Sequence, residues 1–332
     1  MNPDRDIARV ASVGVDLGGT NIRAAVFDEG MEVLGRSKMP TLAQEAADDV
    51  IGRIAACVRE ALDRSSAGAG DIGGVGVGAA GLTDWRTGVV VLASNLGWKN
   101  VPLKERLQQQ LDGLRVEVDK DTNAAALAEA RVGAGRKFGH FLYVTAGTGI
   151  GGGLILGGAL YRGATGGAGD IGHVVVDPDG PPCGCGGHGC VEVFSSGAGM
   201  VDRAREMLSG GAQAASSSMT VEGLTTEAIF ESANQGDAVA AEVVETAGRA
   251  LGLALAGYVN LNNPEAIVLG GGVARAGKAY TDPVERELRR RALPALGEIV
   301  RLVPPALGDD VGVAGAALLL AEPGANEDGG ET

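Results

Sequence analysis

The chain has 332 residues, 45% of them hydrophobic and 21% charged, which suits a folded protein of two domains or one large one and excludes a disordered chain. Lys and Arg number 28 against 42 Asp and Glu, a formal charge of −14, so no long-range field favours nucleic acid or an anionic lipid surface. No apolar run reaches the roughly 18 residues that a membrane span needs, and residues 1–9 lack an apolar signal core, so a cytoplasmic location is expected.

Short apolar runs at 10–15, 22–27 and 32–38, bounded by Gly, Asp and Asn, predict three strands in an opening meander. Helical spacing of Val50, Ile51, Ile54, Val58, Ala61 and Leu62 predicts a helix over 43–63, closed by Gly68 and Gly70. Strands at 72–78 and 88–92, a helix at 102–111, a strand at 114–118 and a helix at 122–132 follow, giving a mixed sheet with helical cover. Strands at 141–145 and 152–156 then flank a second glycine-rich turn. The segments Asp16-Leu17-Gly18-Gly19-Thr20 and Thr145-Ala146-Gly147-Thr148-Gly149 each lie between two short strands, as two copies of one unit would. Beyond the cysteines come helices at 198–208, 225–234 and 238–259, a buried strand at 266–269, a helix at 283–293, a strand at 299–303 and a last helix at 313–320. Residues 210–220 read as a loop and 322–332 as an acidic tail. The fold class is therefore α/β. The expected division is a first domain over 1–120, with a helix near 312–321 packing back on it, and a second over 121–311.

The 56 glycines cluster at the ends of apolar segments, and two clusters match G-x-G-x-x-G, at Gly76 to Gly81 and Gly147 to Gly152. Neither fits a dinucleotide site: that mechanism needs a helix opening on the last glycine, whereas 82–85 reads as a turn and 153–156 as a strand. A Walker A lysine is also missing. The turn Gly18, Gly19, Thr20, Asn21 offers another route, since its backbone N–H groups and hydroxyl can wrap a phosphate while Asp16 holds Mg²⁺ or its water. Thr145, Gly147, Thr148 and Gly149 form a second such turn, and two of them are what an ATP phosphate chain needs. Gly271, in the Gly270 to Gly272 run after Ile267-Val268-Leu269, either lets a nucleotide approach the backbone or simply makes a strand-to-helix turn.

Cys57 stands alone, but Cys183, Cys185 and Cys190 fall within eight residues, a spacing suited to a tetrahedral structural zinc rather than to disulfides. The fourth ligand is His173 or His188, and spacing alone favours His188. Asp121 and Thr122, ahead of Ala124 to Leu127, are by themselves helix N-cap chemistry.

Taken in order, Asp16 to Thr20, Thr145 to Gly153, Gly169-Asp170-Ile171-Gly172-His173 and Cys183-x-Cys185-Gly186-x-x-Gly189-Cys190-x-Glu192 resemble the ROK family of sugar kinases and sugar-responsive repressors, over about residues 12 to 320. The resemblance implies an actin-like (ribonuclease H-like) ATPase fold, two domains with ATP and a hexose in the cleft, and a homodimer or homotetramer. It assigns the fourth zinc position to His173, the base to Asp121, and sugar contacts to Gly81, Asn95, Asp121, Asp170, His173 and Glu192. It implies ATP-dependent phosphorylation of a hexose, glucose foremost. The alternatives are N-acetylmannosamine, allose, mannose or fructose as substrate, or a non-catalytic sugar-binding regulator. The repressor branch carries an N-terminal helix-turn-helix, whereas the first strand here is expected within about ten residues, which favours the kinase branch. Two positions depart from the pattern: Lys120 stands where Asn is expected, and Asp170 where Glu is expected.

Overall fold

The computed structural model describes residues 11–67, 71–210 and 217–322, so the glycines placed after the first helix at 68 and 70, the core of the 210–220 loop and the tail beyond Glu322 lie outside the described residues. In chain order the elements are β1 (Ala11–Leu17), β2 (Asn21–Phe27), β3 (Val33–Pro40), α1 (Ala47–Asp63), β4 (Ile72–Ala79), β5 (Leu82–Asp84), β6 (Val89–Ala93), β7 (Trp98–Val101), α2 (Leu103–Gln110), β8 (Val116–Lys120) and α3 (Asp121–Arg131). Then follow β9 (Phe141–Ala146), β10 (Ile150–Leu156), β11 (Ala159–Tyr161), α4 (Val191–Ser195), α5 (Gly197–Leu208), α6 (Thr226–Asn234), α7 (Ala238–Asn262), β12 (Ala266–Gly270), α8 (Lys278–Arg291), α9 (Pro294–Ile299), β13 (Arg301–Val303) and α10 (Val311–Leu318).

Two five-stranded sheets carry the same order, β3-β2-β1-β4-β8 and β11-β10-β9-β12-β13, and β5-β6-β7 make a small third sheet. The chain divides into two compact units. One holds the described residues up to Lys137, Gly153–Ala168 and those from Ala306; the other holds Phe138–Gly152 and Gly169–Pro305.

In the first unit β1 runs antiparallel to β2 and parallel to β4, which is parallel to β8. Val50, Ile51, Ile54, Val58 and Ala61 of α1, spaced one helical turn apart, fill the core against Val13, Val15, Val75 and Val77. Asp48 and Asp49 sit in the first turn of α1, where negative charge suits the helix dipole. The other side of the sheet takes α10 at very short range: a Cβ on Gly14 would lie 1.8 Å from the Val313 carbonyl, and one on Gly76 would lie 1.7 Å from that of Ala316. Only glycine admits a helix that close.

In the second unit β12 pairs parallel with β9 and β13, and a core built on α7 buries Val243, Leu251, Leu255 and Val259 against Leu142, Ile267 and Tyr280. Asp237 caps α7 by accepting the Ala240 N–H at 3.0 Å.

The differences from the sequence reading have local causes. Leu82–Asp84, read as a turn, is a three-residue strand held by β6. α8 begins at Lys278, five residues before Pro283, so the proline lies inside the helix, where it removes the bond to the Ala279 carbonyl at a cost of about 3 kcal/mol, and its ring packs against Gly248 of α7. The strand expected over 299–303 shrinks to β13, since Pro294 at the first helical position starts α9.

Candidate functional site

In the first unit the register of the parallel strands aligns Asp16 of β1 with Gly78 of β4 and Asp119 of β8, and Leu17 with Ala79 and Lys120. Asp16 and Asp119 are therefore two strand spacings apart, about 10 Å, at the carboxyl ends where open α/β sheets bind ligands. The chain turns back after Leu17 with the Gly18 N–H donating to the Asn21 carbonyl at 3.1 Å, and Thr41 Oγ1 holding the Gly18 carbonyl at 2.7 Å. A Cβ on Gly19 would sit 3.3 Å from Nδ2 of Asn95, so the turn and this expected sugar contact are neighbours. Burial pushes the Asp16 carboxyl up and Arg23 pulls it back. Its carboxylate lies against Gly312 in the first turn of α10, 2.9 Å from where a Cβ would stand.

Asp121 opens α3, with Lys120 rather than Asp121 at the N-cap position, and its Oδ1 accepts the Thr122 N–H at 2.7 Å. A Cβ on Gly78 would lie 3.3 Å from the Asp121 Cα, so the bare backbone of β4 lets α3 start close to the sheet. Gly81 has φ +102°, and a Cβ there would be 2.3 Å from the Leu92 carbonyl, a conformation and a gap that only glycine accepts.

In the second unit the turn from Thr145 to Gly149 joins β9 to β10, with the Gly147 N–H on the Gly149 carbonyl at 2.9 Å. Two groups brace it: Gly197 at the start of α5 donates to the Gly147 carbonyl at 2.7 Å, and Glu192 Oε2 accepts the Ile150 N–H at 2.9 Å. Glu192 is thus partly committed to the turn itself. Gly271, with φ +93°, packs on the same turn, a Cβ there being 2.3 Å from the Ala146 carbonyl. Gly81 after β4 and Gly271 after β12 occupy matching places in the two sheets.

Asp170 precedes a single 3-10 turn that ends at His173, and both are exposed. One ligand atom each from His173, Cys183, Cys185 and Cys190 lie within 4.8 Å of one another; His188 is outside the group. Cys185 Sγ to Cys190 Sγ and Cys183 Sγ to His173 Nδ1 are both 3.7 Å. A tetrahedron with Zn–S near 2.3 Å and Zn–N near 2.0 Å has S–S edges of about 3.8 Å and S–N edges of about 3.5 Å, which these two separations match to within about 0.2 Å, so the donor set suits zinc. Burial, with the neighbouring thiols, pushes Cys190 up to about 12, while the Gly187 N–H pulls Cys185 down.

Sequence reasoning missed the surroundings of Asp121. Asp119, 1% exposed, pairs with Arg162 at 2.6 Å. Neither residue stands in a recognisable motif, and the isolated Arg162 follows a three-residue strand that the pattern did not reveal.

The ROK family profile matches residues 12–322. The chain belongs to the ROK family. The glucokinase of Halalkalibacterium halodurans is 36% identical over 314 residues, 93% of this chain and 94% of that protein. A ROK family glucokinase from Streptomyces griseus, solved in complex with glucose and AMPPNP, is 37% identical with TM-score 0.79, over 93% of this chain and 98% of that one. A ROK family transcriptional regulator superposes with TM-score 0.81 at 28% identity, over 94% of this chain and 78% of that one. The paired sheets of this ROK protein are those of the actin-like ATPase fold. Among the described residues no helix is long and apolar enough to cross a membrane.

Proposed function

We propose that this ROK protein is an ATP-dependent hexose kinase whose substrate is glucose and whose product is glucose 6-phosphate. The observation that carries the reading is the register of the first sheet, which sets Asp16 and the start of α3 with Asp121 at the same edge of the sheet, at the ends of two strands separated only by β4. Asp121 takes the proton of the sugar 6-hydroxyl as that oxygen attacks the γ-phosphoryl group in line. Gly18, Gly19, Thr20 and Asn21, with Thr145, Gly147, Thr148, Gly149 and Gly271, receive the nucleotide through main-chain N–H groups. Asp16 supplies a hard oxygen ligand suited to Mg²⁺, which when bound offsets phosphate charge. Gly81, Asn95, Asp170, His173 and Glu192 hold the sugar hydroxyls.

His173, Cys183, Cys185 and Cys190 hold a structural zinc, since a fully ligated site leaves no open position for substrate. His173 then presents its second ring nitrogen in a fixed orientation. The reading is supported by the glucokinases among the relatives, at 36% and 37% identity, and it places the protein in the cytoplasm with its nucleotide.

The second reading, a sugar-binding regulator without catalysis, is supported by the superposition on a transcriptional regulator. Coupled ADP release with glucose, mannose, fructose, allose and N-acetylmannosamine separates the two. Turnover is expected with glucose above the others, and Asp121→Ala should lower kcat by roughly 10³-fold or more, the scale of losing a general base with its positioning. No ADP with any sugar, or full turnover by Asp121→Ala, would refute the assignment.

A further inference from the structure

The Asp119 carboxylate is almost fully buried, yet it is divided between two pieces of chain. Its Oδ1 accepts the main-chain N–H of Lys120 at 2.7 Å and Nδ2 of Asn123 at 2.8 Å, both on the strand-to-helix turn that presents Asp121. Its Oδ2 accepts Nε of Arg162 at 2.6 Å, at the head of the segment 162–168 that leads in sequence to Asp170. Arg162 is 12% exposed and stacks over the Trp85 ring at 4.5 Å; it also lies 3.9 Å from Glu322.

The same segment is fastened at three further points. Arg86 stacks on Trp85 at 4.8 Å and donates to the Ala164 carbonyl at 3.1 Å. Gly166, at φ +91°, comes so near β5 that a Cβ would be 2.3 Å from the Thr83 carbonyl. The Lys120 ammonium reaches the Ala168 carbonyl at 3.5 Å. Every one of these contacts lies within the first unit.

We propose that Asp119 and Arg162 form a positioning pair for phosphoryl transfer, one buried ion pair that fixes the orientation of Asp121 at the start of α3 and, with the Trp85 stack, fixes segment 162–168. The inference rests on the reading of Asp121 as the base. Its physical basis is a comparison of costs. A buried pair contributes little net stability against uncharged residues of like size, but losing one partner is strongly destabilising. What such a pair supplies is a defined geometry, and reacting groups misplaced by about 1 Å lose roughly 100-fold in rate. Neither Asp119 nor Arg162 touches the reacting atoms; they act through Asp121 and the segment.

The experiment uses the full chain and compares Asp119→Asn/Arg162→Gln, which removes both charges together, with Arg162→Lys, Asp121→Asn and wild type. For the double variant we expect a Tm within about 3 °C of wild type, as removal of a complete pair predicts. Its kcat with glucose should fall roughly 10- to 100-fold, with KM for glucose raised and KM for MgATP within about twofold. Arg162→Lys keeps the charge without the Nε–H or the planar stack, so it should hold its Tm and still lose roughly 10-fold in kcat; it carries the test if the double variant does not fold. Wild-type kcat in either folded variant, with Asp121→Asn inactive, overturns the positioning pair alone. Wild-type kcat in Asp121→Asn overturns the base and the pair with it.

Discussion

Glu129 shows how much one side chain can hold. It is fully buried at the end of α3, no basic side chain among the described residues bonds to it, and its carboxylate accepts main-chain N–H groups of Ala134 at 2.6 Å, Ala306 at 3.1 Å and Leu307 at 3.2 Å. Three N–H groups solvate the anion in place of water and fasten the entry to α10 onto α3. Glu129→Ala strands these donors, so the first urea transition should lose about 3–5 kcal/mol, with Glu129→Gln losing about half. A loss below about 1 kcal/mol would show that solvent replaces the carboxylate at no cost. Lys120 makes the same point about legibility. Its departure from the family pattern is visible in the sequence, but not that it is 5% exposed and bonded to Ala168, because that contact spans 48 residues.

At the scale of elements, the cysteine loop and the glycine turns were legible because their chemistry is local. Three thiols within eight residues state a metal preference by themselves. Spacing alone favoured His188, whereas the donor set is completed by His173, brought in by the pairing of Val175 with Cys190. That pairing joins segments 15 residues apart and leaves no local mark. If zinc organises this loop, purified protein should carry roughly one zinc per chain and Cys183→Ser far less. Stripping the metal with a chelator should lower the Tm and raise KM for glucose more than KM for MgATP, because His173 belongs to the sugar set in our reading. Equal KM values before and after complete zinc removal would detach the metal from sugar binding. The strands the sequence missed, β5, β7 and β11, are only three or four residues long, too short for any period to show.

At the scale of the whole molecule, the resemblance between the two glycine turns proves to be one between entire sheets, each built as a meander whose first strand pairs with the fourth in its series and that with the fifth. Sequence showed this at only one loop per copy, because side chains diverge while strand order persists. Charge, by contrast, is read from composition alone, and −14 bears on the kinetics proposed here. MgATP is an anion and glucose is neutral, so the protein's field opposes one substrate and ignores the other. At 10 mM ionic strength that field extends about 30 Å from the surface, and at 0.1 M about 10 Å. Raising KCl from about 10 to 150 mM at constant free Mg²⁺ should therefore lower KM for MgATP, by roughly two- to threefold, and leave KM for glucose unchanged. A rise in KM for MgATP with salt would mean that basic groups near the phosphates outweigh the net charge, and the nucleotide would then be drawn in by a local field that composition does not reveal.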